Sequence, residues 1–162
     1  MITHGVLMEV SGCGVLITGP AGSGKSQLGL ELLDRGHRFV ADDAIHLRVE
    51  NESLIGCGVE ECAEFLALRC GVVIKIERQF GAEQRLDQTP IDLIVSPGPA
   101  LAPFAPSPRT ELLGVSVPQH YLQTLPGSAL SVEALARMLL DRRDGYSAAE
   151  ELAGRQAARL RD

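Results

Sequence analysis

Gly19-Pro20-Ala21-Gly22-Ser23-Gly24-Lys25-Ser26 fits the pattern G-x-x-x-x-G-K-[ST] at every fixed position. The apolar run Val15-Leu16-Ile17-Thr18 before it reads as a buried strand. The segment from Ser26 to about Arg35 reads as a helix, with Leu28, Leu32 and Leu33 on one side. Strand, Gly-rich loop and helix form the context in which this pattern binds phosphate. The glycines let backbone N–H groups converge on phosphate oxygens, and the helix N-terminus adds a favourable dipole. All eight residues are therefore candidate nucleotide-binding residues. In this chemistry Lys25 reaches the β- and γ-phosphates and the Ser26 hydroxyl ligates Mg²⁺. A chance Gly-rich turn is the competing reading, and the flanking elements argue against it.

Upstream, Val6 to Val10 reads as a strand that turns at Gly12-Cys13-Gly14, so a hairpin feeds the loop. Downstream, Arg35-Gly36-His37-Arg38 reads as a helix stop with glycine near the C′ position. Phe39-Val40-Ala41 reads as a buried strand ending at Asp42-Asp43. The alternation of Ile45, Leu47 and Val49 with His46 and Arg48 continues the chain as a half-exposed strand, and Glu50-Asn51-Glu52 turns it into Ser53-Leu54-Ile55. Val59 to Leu68 is a short helix or irregular. Val72 to Ile76, Asp92 to Val95 and Val115 to Val117 read as strands. Residues 97–108 hold Pro97, Pro99, Pro103, Pro106 and Pro108, so that stretch reads as a loop. Ser131 reads as the cap of a helix to about Arg142, with Leu135, Met138 and Leu139 on its apolar side, and Ser147 as the cap of a last helix. The fold class is α/β, a phosphate-loop domain of three layers with a mixed sheet, antiparallel in part.

A chain of 162 residues is most simply one domain, spanning 1–162. Its formal charge of −6 argues against nucleic-acid binding. The absence of a long apolar run argues against a membrane span, and no signal-peptide pattern opens the chain, so a cytoplasmic location is expected. Cys13, Cys57, Cys62 and Cys70 form no C-x-x-C pair and read as buried or half-buried free thiols rather than zinc ligands or disulfides.

A phosphate loop says nucleotide but not what becomes of the phosphoryl group. Asp42 and Asp43, at the end of an apolar strand, are the carboxylates that phosphoryl transfer needs. One holds the metal and one accepts a proton from the attacking group. Adjacent side chains on a strand point opposite ways, so only one faces the phosphates directly. His37 and His46 read as solvent-facing. Arg69 and Lys75 flank a strand within reach of phosphate, although such residues are usually just solvated.

Three blocks carry a resemblance to the catalytic domain of the HPr kinase/phosphorylase family, bacterial enzymes that act on a serine of the phosphocarrier protein HPr. These are His4-Gly5-Val6-Leu7, the loop Gly19 to Ser26, and Glu31-Leu32-Leu33-Asp34-Arg35-Gly36-His37-Arg38-Phe39-Val40-Ala41-Asp42-Asp43. A weaker likeness runs through Leu68 to Ile76 and Phe80-Gly81-Ala82. The resemblance implies a Mg-ATP-dependent serine kinase with an HPr-like partner and a tendency to homo-oligomers. It implies that Lys25 contacts the transferring phosphate and that Ser26 ligates Mg²⁺ with Asp42 supporting it. It also implies that Asp43 is the base toward the acceptor serine, and that His4 is an active-site histidine. Other acceptors, proteins or small molecules, and a nucleotide-binding regulatory module stand as alternatives.

The departures from the family pattern are specific. Ala67 stands where the family has a metal-ligating Glu, and Cys70 where its E-x-R-G-x-G block has the first glycine. Thr124-Leu125-Pro126-Gly127-Ser128-Ala129 stands where a V-R-P-G-R-N segment tied to dephosphorylation is expected, with neither arginine. The family's catalytic arginine corresponds to Arg109 or Arg85, with Arg109 the better placed. The chain opens at the catalytic domain, as in short proteobacterial forms without an N-terminal domain. These departures imply a kinase with weakened or lost phosphorylase activity.

Overall fold

The computed structural model describes residues 1–59, 62–102 and 105–161. An antiparallel hairpin opens the chain, β1 (Ile2–Val10) with β2 (Cys13–Ile17). Ser11 and Gly12 both take positive φ, at 52° and 83°, which makes the tight turn. The phosphate-loop stretch follows, and then α1 (Lys25–Asp34), which buries Leu28, Gly29, Leu32 and Leu33. Next come β3 (Arg38–Glu50) and β4 (Ser53–Gly58). They are joined through Asn51 and Glu52 at φ 48° and 65°, as a two-residue hairpin requires. A small separate hairpin, β5 (Phe65–Ala67) and β6 (Val73–Lys75), leads into α2 (Ile76–Phe80). The short strand β7 (Gln88–Pro90), β8 (Leu93–Pro97), β9 (Arg109–Leu112) and β10 (Val115–Leu122) precede α3 (Ala129–Arg143) and α4 (Ala148–Arg159).

Eight strands form one mixed sheet in the order β7-β4-β3-β1-β2-β8-β10-β9. The neighbours β2, β8 and β10 are parallel and the remaining pairs are antiparallel. Alternation along the strands splits the apolar residues into two cores. Val6, Met8, Val15, Ile17, Phe39, Leu93 and Val95 meet Leu28 and Leu32 of α1 and Val132 and Ala136 of α3. Leu7, Leu16, Ala41, Ile45, Leu47, Leu54, Ile94 and Val117 fill the opposite face, with Leu86 packed against them.

Several boundaries differ from the sequence expectation. β1 begins at Ile2 rather than Val6, because it pairs with β3 as far as His46. β3 does not stop at Asp42-Asp43 but runs through them for 13 residues, with an extra residue at Val40 where the β1 register shifts. The stretch 59–68 holds β5, while Glu60 and Glu61 lie outside the described residues. Ile76 opens α2 instead of closing a strand. The Pro-rich loop ends at β9, and its Pro103 lies outside the described residues.

Ser131 lies inside α3. The cap position belongs to Ser128, whose hydroxyl donates to the Thr124 carbonyl at 2.5 Å. The buried face of α3 is Ala129, Val132, Glu133 and Ala136, with Leu135 and Leu139 only partly covered. Ser147 does cap α4, its hydroxyl accepting from the Glu150 N–H at 3.3 Å, and α4 buries no residue. Cys13 is buried and Cys57 half-buried, but Cys62 and Cys70 are exposed. No helix among the described residues is long and apolar enough to cross a membrane.

Candidate functional site

The loop closes over the start of α1 by using glycine where side chains cannot follow. Gly19, Gly22 and Gly24 take φ of 148°, 80° and 93°. A Cβ on Gly24 would lie 2.4 Å from Pro126, so the segment after β10 presses directly on the loop. Gly24 occupies the cap position of α1 with no side-chain cap bond, and no acidic residue lies in the first turn. The first bond of the helix is Leu28 N–H to the Gly24 carbonyl at 3.0 Å. The Lys25, Ser26 and Gln27 N–H groups, which have no partner among the described residues, therefore lie at the open helix end, where the dipole favours an anion.

Lys25 folds its ammonium back onto the Gly19 and Pro20 carbonyls, at 2.9 and 3.1 Å. Ser26 donates its hydroxyl to the Asp42 carboxylate, 3.2 and 3.3 Å from its two oxygens. Asp42 also accepts from the Ala67 N–H at 3.3 Å. Burial pushes the Asp42 carboxyl above its ordinary range, against the pull of the Ala67 and Ser26 hydrogen bonds. Asp43, next along β3, sits at φ 74° in the left-handed region, an uncommon conformation inside a strand. Its carboxylate stands 3.7 Å from His4 Nδ1, and both side chains are largely open to water, which screens the pair.

A cleft of about 310 Å³ opens here, lined by Gly22, Gly24, Lys25, Ser26, Gln27 and the rim Ala67 to Cys70. Arg69 reaches across it to the Gly22 carbonyl at 3.3 Å. Sequence reasoning puts Arg69 beside a strand, within reach of phosphate but more usually just solvated. Its signal is the β5–β6 turn, which returns to the loop only in three dimensions. The fold thus gathers the loop, Lys25, Ser26, Asp42, Asp43 and His4 at one edge. It does not bring Arg109 there: on β9 that side chain bonds the Ser116 hydroxyl and carbonyl at 2.7 and 2.8 Å. Arg85 pairs with Glu77 and Asp87, each at 3.4 Å. Lys75 pairs with Glu64 at 3.4 Å. His37 is not solvent-facing; its ring lies 3.4 Å from the buried Glu133 carboxylate.

The residues present fit a nucleotide and a magnesium ion. Ser23 Oγ is buried inside the loop with no hydrogen-bond partner among the described residues, an orphan that a phosphate oxygen would satisfy. A hydroxyl and one carboxylate are hard oxygen donors. They suit Mg²⁺, which keeps waters and takes its remaining ligands from substrate phosphates.

The sequence of the family described as HPr Serine kinase C-terminal domain matches residues 1–156. The HPr kinase/phosphorylase of Geobacillus thermodenitrificans is 37% identical over 94% of this chain and 52% of its own length. That of Chloroherpeton thalassium is 35% identical over 91% of this chain and 46% of its own length. The chain therefore spans about half the length of the curated relatives it matches. A solved structure, the Hpr(Ser) kinase/phosphatase from Coxiella burnetii, superposes with a TM-score of 0.78 at 32% identity, covering 85% of this chain and 94% of that one. A loop that leaves a helix start open to phosphate, faced by Ser26 and Asp42, agrees with that likeness, and the chain belongs to the HPr serine kinase C-terminal domain family.

Proposed function

We propose that the chain is a Mg-ATP-dependent serine kinase acting on an HPr-like phosphocarrier protein, in the cytoplasm. The observation that carries this reading is the Ser26–Asp42 pair, 3.2 Å apart at the uncapped start of α1, with Asp43 beside it on the same strand. The names of the relatives support the acceptor. The Gly19–Ser26 backbone would cradle the phosphates. Lys25, now tied to two carbonyls, would exchange these for phosphate oxygens. Ser26 and Asp42 would hold Mg²⁺, which neutralises charge developing on the phosphates. Asp43 would take the proton of the acceptor hydroxyl, with His4 positioned against its carboxylate. Arg69 rather than Arg109 is the arginine set beside the loop, and it would close over the nucleotide.

Pro126 packs on Gly24 and the Gly127 N–H donates to Glu31 at 2.9 Å, so the 124–129 segment reaches the loop without an arginine to offer it. This supports weakened phosphorolysis. The test is transfer of label from γ-labelled ATP to a serine of purified HPr. Label on HPr, lost in Lys25→Ala and in Asp43→Asn, is the expected result. Nucleotide binding without label on HPr would overturn the HPr kinase reading.

A further inference from the structure

A row of polar side chains crosses the sheet at the same edge as the loop. Thr110 of β9 donates its hydroxyl to Gln119 Oε1 of β10. Gln119 Nε2 donates to Ser96 Oγ of β8 at 2.8 Å, and Ser96 Oγ lies 2.6 Å from Thr18 Oγ1, just past β2. Hydrogen-bond accounting fixes the direction of this relay. Ser96 is 7% exposed and already accepts from Gln119. Among the described residues its own hydrogen finds one acceptor, Thr18 Oγ1, and a buried donor left unmade is costly. Thr18 therefore accepts from Ser96 and must turn its own hydrogen away from the relay. No acceptor takes that hydrogen among the described residues, and Thr18 is only half-buried.

The strand register says where this donor stands. Val6 pairs with Ile17 on one side and Asp42 on the other, and Gly5 pairs with Asp43. Carried one residue past β2, this register sets Gly5 between Thr18 and Asp43, whose backbones are about 9.5 Å apart at two strand spacings. A Cβ on Gly5 would sit 2.5 Å from the Ile17 carbonyl and 3.2 Å from Leu16 Cδ1, so Gly5 itself can place no side chain between them. We propose that Thr18 is a further substrate-contacting residue, its hydroxyl donating to an oxygen of the phosphoryl group in transfer, with Ser96 and Gln119 as positioning residues. The proposal rests on the kinase reading above. A neutral donor oriented in advance by a buried relay favours the oxygen that gains charge in the transition state over the ground-state nucleotide.

The test is titration of the protein with Mg-ADP, alone and with aluminium fluoride as a mimic of the phosphoryl group in flight. Thr18→Val is expected to bind Mg-ADP as the wild type does, and the fluoride complex about 10-fold more weakly. Thr18→Ser should restore the wild-type affinity, and Ser96→Ala should show a smaller loss of the same kind. Equal affinity of wild type and Thr18→Val for the fluoride complex overturns the proposal. So does a loss that is the same for ADP alone, because that is loop damage, and so does a wild type that fluoride does not tighten. Fluoride discrimination intact in a protein that phosphorylates no HPr would sink the choice of acceptor and leave Thr18 in place.

Discussion

The two ends of α1 are built in opposite ways. At its N-terminus little is satisfied from within: Gly24 offers no side chain, the first turn carries no acid, and the neighbouring Ser23 hydroxyl has no partner among the described residues. At its C-terminus the backbone closes on itself. Gly36 at φ 91° lets its N–H bond the Leu33 carbonyl at 2.9 Å, while the His37 N–H bonds the Leu32 carbonyl at 3.1 Å, a complete Schellman closure. Beyond it Arg35 and His37 both reach Glu133 of α3, which is buried, and Arg137 reaches the same carboxylate at 3.4 Å. One end is closed by the protein's own bonds, and the other is the end at which nucleotide binding is proposed. The contrast teaches that stability and chemistry have been assigned to opposite ends of one ten-residue helix.

Substitutions at the two ends should therefore separate the two properties. The largest effect is expected from Lys25→Ala, which should lower phosphoryl transfer by about 10³-fold while shifting unfolding by less than about 0.5 kcal/mol. Steady-state kinetics beside urea denaturation would read both, and a large stability loss would erase the contrast. Glu133→Ala should do the reverse. It leaves Arg35 and His37 facing a buried gap, costing about 3 kcal/mol, or roughly 6–12 °C in Tm, with nucleotide affinity of the folded fraction kept.

Acid should reproduce part of that loss. The Arg35 hydrogen bond, with help from His37, holds the Glu133 carboxyl down at about 2 against an ordinary 4.5, although burial opposes it. A depressed acid contributes stability above its unfolded pKa and loses it on protonation. The wild type should weaken as pH falls from 4.5 to about 2, and Glu133→Gln should flatten that limb in urea titrations at stepped pH. The smallest effect is expected from Gly36→Ala. A Cβ there meets nothing within 4 Å, so only the left-handed backbone is strained, by about 1 kcal/mol. A null result would show that the closure relaxes into another turn.

How far the sequence could be read follows from the range of each signal. The loop, α1 and its glycine stop are local patterns, written in consecutive residues, and the structure repeats them. Asp42 and Asp43 read as a strand end because two acids interrupt an apolar run. Only pairing to β1 on one side and β4 on the other carries the strand onward. Ser131 has the chemistry of a cap, but the turn from Thr124 places the helix start at Ser128. β7 and β9 have three and four residues at the sheet edges, too few for alternation to register. His37 looked exposed because its partner Glu133 sits on another helix. Arg69 reaches the site, and Arg109 bonds Ser116 away from it, through hairpin geometry that no spacing in the chain records.

β3 holds Asp42 and Asp43 against β1 on one side, while β4 pairs with it only from Ile45 onward. Amide hydrogens of Ile45 and His46 in β3, paired on both sides, can exchange with heavy water only when the middle of the sheet opens, whereas those of α4, which buries nothing, need only a local fraying. In a deuterium time course the carboxylate pair, held by β1 alone, would thus label after α4 and before the doubly paired part of β3. A ligand arriving at the cleft would meet acids anchored through one neighbour strand, beside the loop and the Arg69 turn.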